Sequence, residues 1–285
     1  MAMSRPSPIA ARLPAKLDVA AFTPPDAFEK WNAGLQAAGE IGANVITMYD
    51  VIGADYWTGG GVTLKRVDAA LRSIGKQDVE VHINSPGGDM FEGIAIYNRL
   101  LEHPAKVSVK VFGLAASAAS IIAMAGEERL VAPAAFLMIH NCWVLAAGNR
   151  HDMAEVAQFL EPFDAAMAGV YSETSGSKLA DCAKWMDAET WMGGAMAEQR
   201  GFATGTLSAD DMKEDAAVSE QARASNALRQ AEIALCRSGS TRAEARALLN
   251  KIKGTPGAAH DDPTPGAGDL SWLGAAAELT QSIRS

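Results

Sequence analysis

The chain has 285 residues, 48% of them hydrophobic, and a formal net charge of −9. This allows one large packed domain with an appendage, and the acidic balance argues against nucleic-acid binding. Three widely separated cysteines, Cys142, Cys182 and Cys236, indicate neither a disulfide framework nor a zinc site, and they fit a reducing cytoplasm. No apolar run reaches the ~18 residues of a membrane span, and the stretch from Met1 to Pro6 lacks a signal-peptide core.

Residues 1–39 carry Pro6, Pro8, Pro14, Pro24 and Pro25 and read as an extended N-terminal arm, with one short helix over 27–38. Val45 to Met48 reads as a strand. Leu64, Val67, Leu71 and Ile74 fall at helical spacing and predict a helix over 62–75. Val79, Val81 and Ile83 alternate and predict a strand, with His82 facing outward. That strand runs into Asn84-Ser85-Pro86-Gly87-Gly88. A helix marked by Met90, Ile94, Tyr97 and Leu101 follows. Then come a strand (Val107, Val109, Val111) and a helix from Ser117 to Ala125. This alternation implies βαβ units and a largely parallel sheet, with the chemistry in turns at carboxyl ends of strands. Met153, Val156, Leu160, Phe163, Met167 and Val170 predict a long amphipathic helix, kinked or broken at Pro162.

From Ser208 the composition turns to Ala, Glu, Gln and Arg. Two capping-box patterns, at Ser208–Asp211 and Thr241–Glu244, predict helices over 209–236 and 242–253. The Pro/Gly-rich stretch 254–268 reads as a flexible linker, and Leu270 to Ile283 as a short apolar segment. The tail is therefore expected to be separable, with a truncation near Leu207 staying soluble and assembled.

Three motifs carry the chemistry. Ser117 follows a strand through the Gly113-Leu114-Ala115-Ala116 turn and opens a helix, so its hydroxyl faces outward and a helix N-terminus supplies positive potential. A plain N-cap serine is the structural alternative, and Ser120, one turn on, is the nearest competitor. Gly87 and Gly88 lack Cβ, so their backbone can approach a substrate carbonyl. His140 ends the apolar run Phe136 to Ile139. A nucleophile, oxyanion donors and a base are the parts of a serine acyl-transfer site. His82, His103, His151 and His260 lack a matching context. Nothing resembles a nucleotide-binding loop, so neither a cofactor nor a metal is expected.

Ser85-Pro86-Gly87-Gly88, Gly113-Leu114-Ala115-Ala116-Ser117 and Met138-Ile139-His140 resemble, in order and spacing, the S-P-G-G, G-x-A-A-S and M-I-H motifs of the Clp protease proteolytic-subunit family. Within it, the chain is most similar to the Clp-like head maturation proteases of tailed bacteriophages. The resemblance covers roughly residues 40–207. It implies the Clp/crotonase-like α/β fold of repeated ββα units with a largely parallel sheet, here followed by an α-helical C-terminal tail over 208–285. It implies Ser117 as nucleophile, His140 as base, and the N–H groups of Gly88 and Ala118 as oxyanion hole. Gly87, Asp89 and Met90 fall in the substrate-binding segment, whose main chain would pair with an extended peptide. The family's aspartate position aligns with Glu189, in the E-T-W text common in phage relatives. Asp187 is the alternative.

The resemblance further implies a homo-oligomeric ring, with the helix at 152–171 either the contact between stacked rings or an ordinary amphipathic helix on the core, and protein substrates such as scaffold and capsid proteins. Any ATPase unfoldase would be a separate chain. Alternatives are a degradative Clp-type subunit working with an ATPase, an enoyl-CoA hydratase-like enzyme, a Ser/Lys peptidase, and a silent crotonase-fold capsid assembly or scaffold module.

Overall fold

The computed structural model describes residues 20–21, 25–146 and 148–254. The expected linker beyond Gly254, the apolar segment from Leu270 and most of the N-terminal arm lie outside the described residues. The chain begins with β1 (Ala20–Ala21), α1 (Pro25–Lys30), β2 (Leu35–Ala37) and β3 (Val45–Met48). There follow α2 (Leu64–Ile74), β4 (Val79–Ser85), α3 (Met90–Leu101), β5 (Val107–Ala116), α4 (Ala118–Ala123) and β6 (Glu128–Val131). Next come β7 (Phe136–Ile139), β8 (Val144–Leu145), α5 (Arg150–Ser175), α6 (Leu179–Asp187), β9 (Thr190–Gly193) and α7 (Gly194–Gln199). The chain closes with β10 (Gly205–Thr206), β11 (Met212–Glu214), α8 (Ala216–Arg237) and α9 (Arg242–Gly254).

The main sheet runs β10-β6-β5-β4-β3, parallel at every step. β5 is long enough to take two neighbours on one side. Ser108 to Val111 pair with β6, and Leu114 to Ala116 pair with β7. β7 in turn pairs antiparallel with β9. This is an α/β fold with a mostly parallel central sheet. The local reasons match the sequence. Thr63 and Asp89 cap α2 and α3 by accepting from the N–H groups of Arg66 and Glu92. Val67, Leu71 and Ile74 turn one face of α2 into the core, and Ile96 and Leu100 do so for α3.

His82 does not face outward. It is 4% exposed, its Nδ1 lies 3.2 Å from the Tyr49 hydroxyl, and its ring packs on Phe112. A parallel sheet is covered on both faces, so alternation does not mark a solvent side. Burial pushes its pKa down, partly offset by Glu80.

Three further expectations differ. The helix over 27–38 stops at Lys30, and Leu35–Ala37 form β2, antiparallel to β11. The helix over 209–236 is replaced at its start by a 3-10 turn (Ala209–Asp211) and β11, so α8 begins at Ala216. The capping box at Ser208 is present but caps that single turn. α5 runs unbroken through Pro162. A proline inside a helix costs about 3 kcal/mol. Here a capping box at Asn149–Asp152 and the buried residues Val156, Met167, Ala168 and Tyr171 hold the helix on both sides of it.

The tail is not a free appendage. Ile233 of α8 packs with Phe28, Trp31, Leu114 and Met138 in one buried cluster. Asp215 N donates to Gly34 O at 2.9 Å, and Ser219 Oγ donates to Asn32 Oδ1 at 2.7 Å.

Candidate active site

β5 ends at Ala116 and the chain reverses at Ser117, whose φ of 56° and ψ of −126° lie in the region that favours glycine. Holding a serine there costs about 1–3 kcal/mol. The surroundings enforce it. Ser117 N donates to Met138 O of β7 at 2.9 Å, and Ser117 O accepts from Ser120 Oγ at 2.6 Å. Ser120 also shares a 2.8 Å hydrogen bond with the Tyr171 hydroxyl. Ser117 makes no side-chain capping bond, so its hydroxyl is not a structural N-cap. Ser120 is fully buried and engaged, so it does not compete with Ser117 for substrate.

Gly87 and Gly88 have φ of 90° and 153°. A Cβ on Gly87 would lie 2.6 Å from both Ser117 Cβ and Ala116 O, and one on Gly88 would lie 2.0 Å from Ile52 O. Only glycine fits at either position. Ile52 N donates to Gly87 O at 2.8 Å, and Asp89 N donates to Ile52 O at 2.9 Å. The N–H groups of Gly88 and Ala118 have no hydrogen-bond partner among the described residues. Asp89, expected in the substrate-binding segment, spends its carboxylate capping α3 and its N–H on Ile52. That part of the expected peptide-pairing edge is already taken by the chain itself.

His140 follows β7 directly. It is 6% exposed, and its Nε2 is buried without a hydrogen-bond partner. Burial pushes its pKa down to about 4, against a smaller upward pull from the Asn141 backbone. The imidazole is therefore neutral at pH 7, as a general base must be. Gly88, Ser117, Ala118 and His140 border one cavity of about 130 Å³. Met90, Phe159, Phe163, Met167 and Tyr171 give that cavity apolar walls. The Cys142 thiol is also there, pushed up to about 12 by burial and by Asp164, and so is not a nucleophile.

Glu189 and Asp187 stand differently. The β7–β9 ladder ends on the pair Ile139 and Thr190, so the next step of that register sets His140 beside Glu189. Glu189 has φ of 45° and is exposed. Asp187 instead accepts a 2.8 Å hydrogen bond from Asn141 Nδ2. Neither carboxylate hydrogen-bonds His140 in this structure.

Sequence reading missed several supports. Asn84 is fully buried and joins three segments. Its Nδ2 donates to Asn32 O and Leu35 O, and its Oδ1 accepts from Leu114 N. A polar residue at the end of an apolar strand was the available signal. Asp164 accepts from Cys142 N at 2.6 Å and fixes the strand end after His140. Tyr171 backs Ser117 through Ser120. No local pattern marks either of these two.

A parallel sheet that delivers a serine on a strained turn, bare amides beside it and a buried histidine from the neighbouring strand defines the serine-hydrolase class. Comparison with known proteins narrows this. The Clp protease family model matches residues 69–209. The chain is 30% identical over 128 residues to the ATP-dependent Clp protease proteolytic subunit 1 of Corynebacterium jeikeium, covering 44% of this chain and 68% of that protein. It is 31% identical over 124 residues to the proteolytic subunit of Pleurastrum terricola, covering 43% and 63%. For a Bacteroides fragilis subunit the figures are 28% over 128 residues, covering 44% and 62%. The matched stretch thus spans about two thirds of these relatives. The chain belongs to the Clp protease family, whose members are serine peptidases.

Proposed function

We propose that the chain is a serine endopeptidase acting through Ser117, His140 and Glu189, and that it processes scaffold or capsid proteins during phage head maturation. The observation that carries the peptidase reading is the shared cavity, which Ser117, His140, Gly88 and Ala118 border from three different segments. His140 Nε2 takes the Ser117 proton as Oγ attacks a peptide carbonyl. The Gly88 and Ala118 N–H groups, free of other partners among the described residues, receive the oxyanion. His140 then protonates the leaving amine, and water hydrolyses the acyl-enzyme. Glu189 holds the imidazole tautomer once it turns toward His140, since hydrogen bonds of this kind tighten with substrate bound. The apolar walls of the cavity suit a large hydrophobic side chain beside the scissile bond.

The maturation role rests on the sequence resemblance to phage enzymes and on a helical tail outside the family match. Homo-oligomeric rings, stacked through α5, follow from the same resemblance, as does a host-cytoplasmic or procapsid setting. Among the described residues no helix is long and apolar enough to cross a membrane. The relatives are named as subunits of ATP-dependent proteases, which supports a second reading as a degradative subunit with an ATPase partner.

The test is co-expression with candidate scaffold and capsid proteins, comparing wild type with Ser117→Ala by intact mass. Defined fragments from wild type alone support processing. Intact substrates, alongside Ser117 labelling by a fluorophosphonate, would leave the peptidase reading and remove the maturation role. Absence of labelling would remove both.

A further inference from the structure

We propose that helix α8 is a strut for the oxyanion hole, with Arg229 as a positioning residue that acts on Gly88 through the loop at 50–62. The proposal rests on the serine-peptidase reading and concerns the regulation of that site by a segment outside the family match, which ends at residue 209.

Arg229 is 7% exposed. Its Nη2 lies 2.8 Å from Asp55 Oδ2 and 3.3 Å from Asp50 Oδ1, and its Nε donates to Asp55 Oδ1 at 3.3 Å. The guanidinium also sits over the Trp31 ring, 5.6 Å from the centroid. Asp55 is itself 8% exposed. Burial pushes its pKa up, but the hydrogen bonds and charge of Arg229 outweigh this and keep the carboxyl below its ordinary value.

The two carboxylates also shape the loop that bears them. Asp55 Oδ2 accepts from Thr58 N at 3.0 Å, and Asp50 Oδ2 accepts from Gly61 N at 2.9 Å. Between them lies Ile52, which makes both hydrogen bonds flanking Gly88, to Gly87 O and from Asp89 N. Gly88 fits so tightly against Ile52 O that a Cβ would come within 2.0 Å of it. The direction of the Gly88 N–H is thus set by Ile52, and Ile52 lies between two anchors on α8's arginine. One turn further along α8, Glu232 accepts from Trp57 Nε1 at 2.8 Å, a second tie to the same loop.

Stability alone is a poor reason for such a pair, because a buried ion pair is often no better than apolar packing. What it supplies is fixed geometry, and misplacing a catalytic group by ~1 Å can cost on the order of a hundredfold in rate.

The test uses the full chain with a fluorogenic peptide, comparing wild type, Arg229→Met, Arg229→Lys, Asp55→Asn and the Arg229→Met/Asp55→Asn double variant. kcat should fall on the order of a hundredfold in Arg229→Met, with KM changed by less than about threefold. Arg229→Lys should recover part of the loss, and the double variant should be no worse than the more impaired single. Wild-type kcat in Arg229→Met, or losses that multiply in the double variant, would overturn the proposal. If Arg229→Met does not fold, the near-isosteric Asp55→Asn decides by the same criterion. Amide hydrogen exchange at Ile52 and Asp89, whose N–H groups are bonded to Gly87 O and Ile52 O, reads the strut without catalysis. Faster exchange in Asp55→Asn supports it, and unchanged exchange overturns it. A wild type that neither hydrolyses peptide nor reacts with a fluorophosphonate would sink the peptidase reading, and the exchange result would still stand or fall by itself.

Discussion

A Cβ placed on Gly87 would stand 2.6 Å from the Cβ of Ser117, closer than two such carbons approach in folded proteins. The Gly87–Gly88 turn and the turn that bears Ser117 are packed against each other, so the geometry of one sets that of the other. Gly87→Ala should therefore displace Ser117, with the positive φ of 90° adding strain. The expected result is a folded protein whose reaction with a fluorophosphonate slows by about a hundredfold or more. Labelling at the wild-type rate would show that the turn can absorb the methyl.

Ser117→Gly separates chemistry from strain. Removing the hydroxyl should lower peptide hydrolysis by several orders of magnitude. Removing the Cβ from a residue at φ 56° should stabilise the fold by about 1 kcal/mol, or roughly 2–4 °C in Tm. Ser117→Ala should lose the same activity without that gain. A thermal melt of the two variants checks this. Activity above about a tenth of wild type in either would reject Ser117 as nucleophile.

His140 should titrate near 4, because burial holds it below its ordinary 6.5. The folded state then binds fewer protons than the unfolded chain between those values. Stability attributable to this residue is undiminished above pH 6.5 and declines as pH falls toward 4, by roughly 3 kcal/mol in all. Ring resonances of His140 followed by NMR in Ser117→Ala give the pKa directly. An inflection near 6.5 would show that the imidazole is better solvated, or better partnered, than the structure has it.

Glu189→Gln should cripple hydrolysis while leaving the fold intact, since a neutral amide does not hold the imidazole in its working tautomer. Asp187→Asn should be mild, because Asp187 is held by Asn141 Nδ2. Steady-state kinetics on both variants decide between them. If Asp187→Asn is the inactive protein, the β7–β9 register has been extended one residue too far.

How much of this was readable from the chain depends on range. The βα alternation from Leu64 to Ala123 was legible because each element is stamped locally, by spacing, caps and turn residues. That Ser117 and Gly88 sit on turns was legible because small-residue turns must be written into the sequence, and that His140 closes a strand was legible from the apolar run before it. The flanks were not. Leu35–Ala37 became a strand only because Met212–Glu214 offered an antiparallel partner, and no window near either segment contains that information. The pairing of Arg229 with Asp50 and Asp55 spans most of the chain and leaves no periodic trace. Pro162 misled in the opposite sense, because tertiary packing overrode a strong local signal.

The β2–β11 ladder bears on how the molecule opens. Residues 35–37 and 212–214 stand on either side of the family-matched stretch, and zipping them together turns that stretch into a closed loop. Neither flank can then fray alone, since release of one strand leaves the other without its hydrogen bonds. The two ends of the fold share a single opening event, and their backbone amides should exchange with solvent at matched rates although the whole family-matched stretch separates them in sequence.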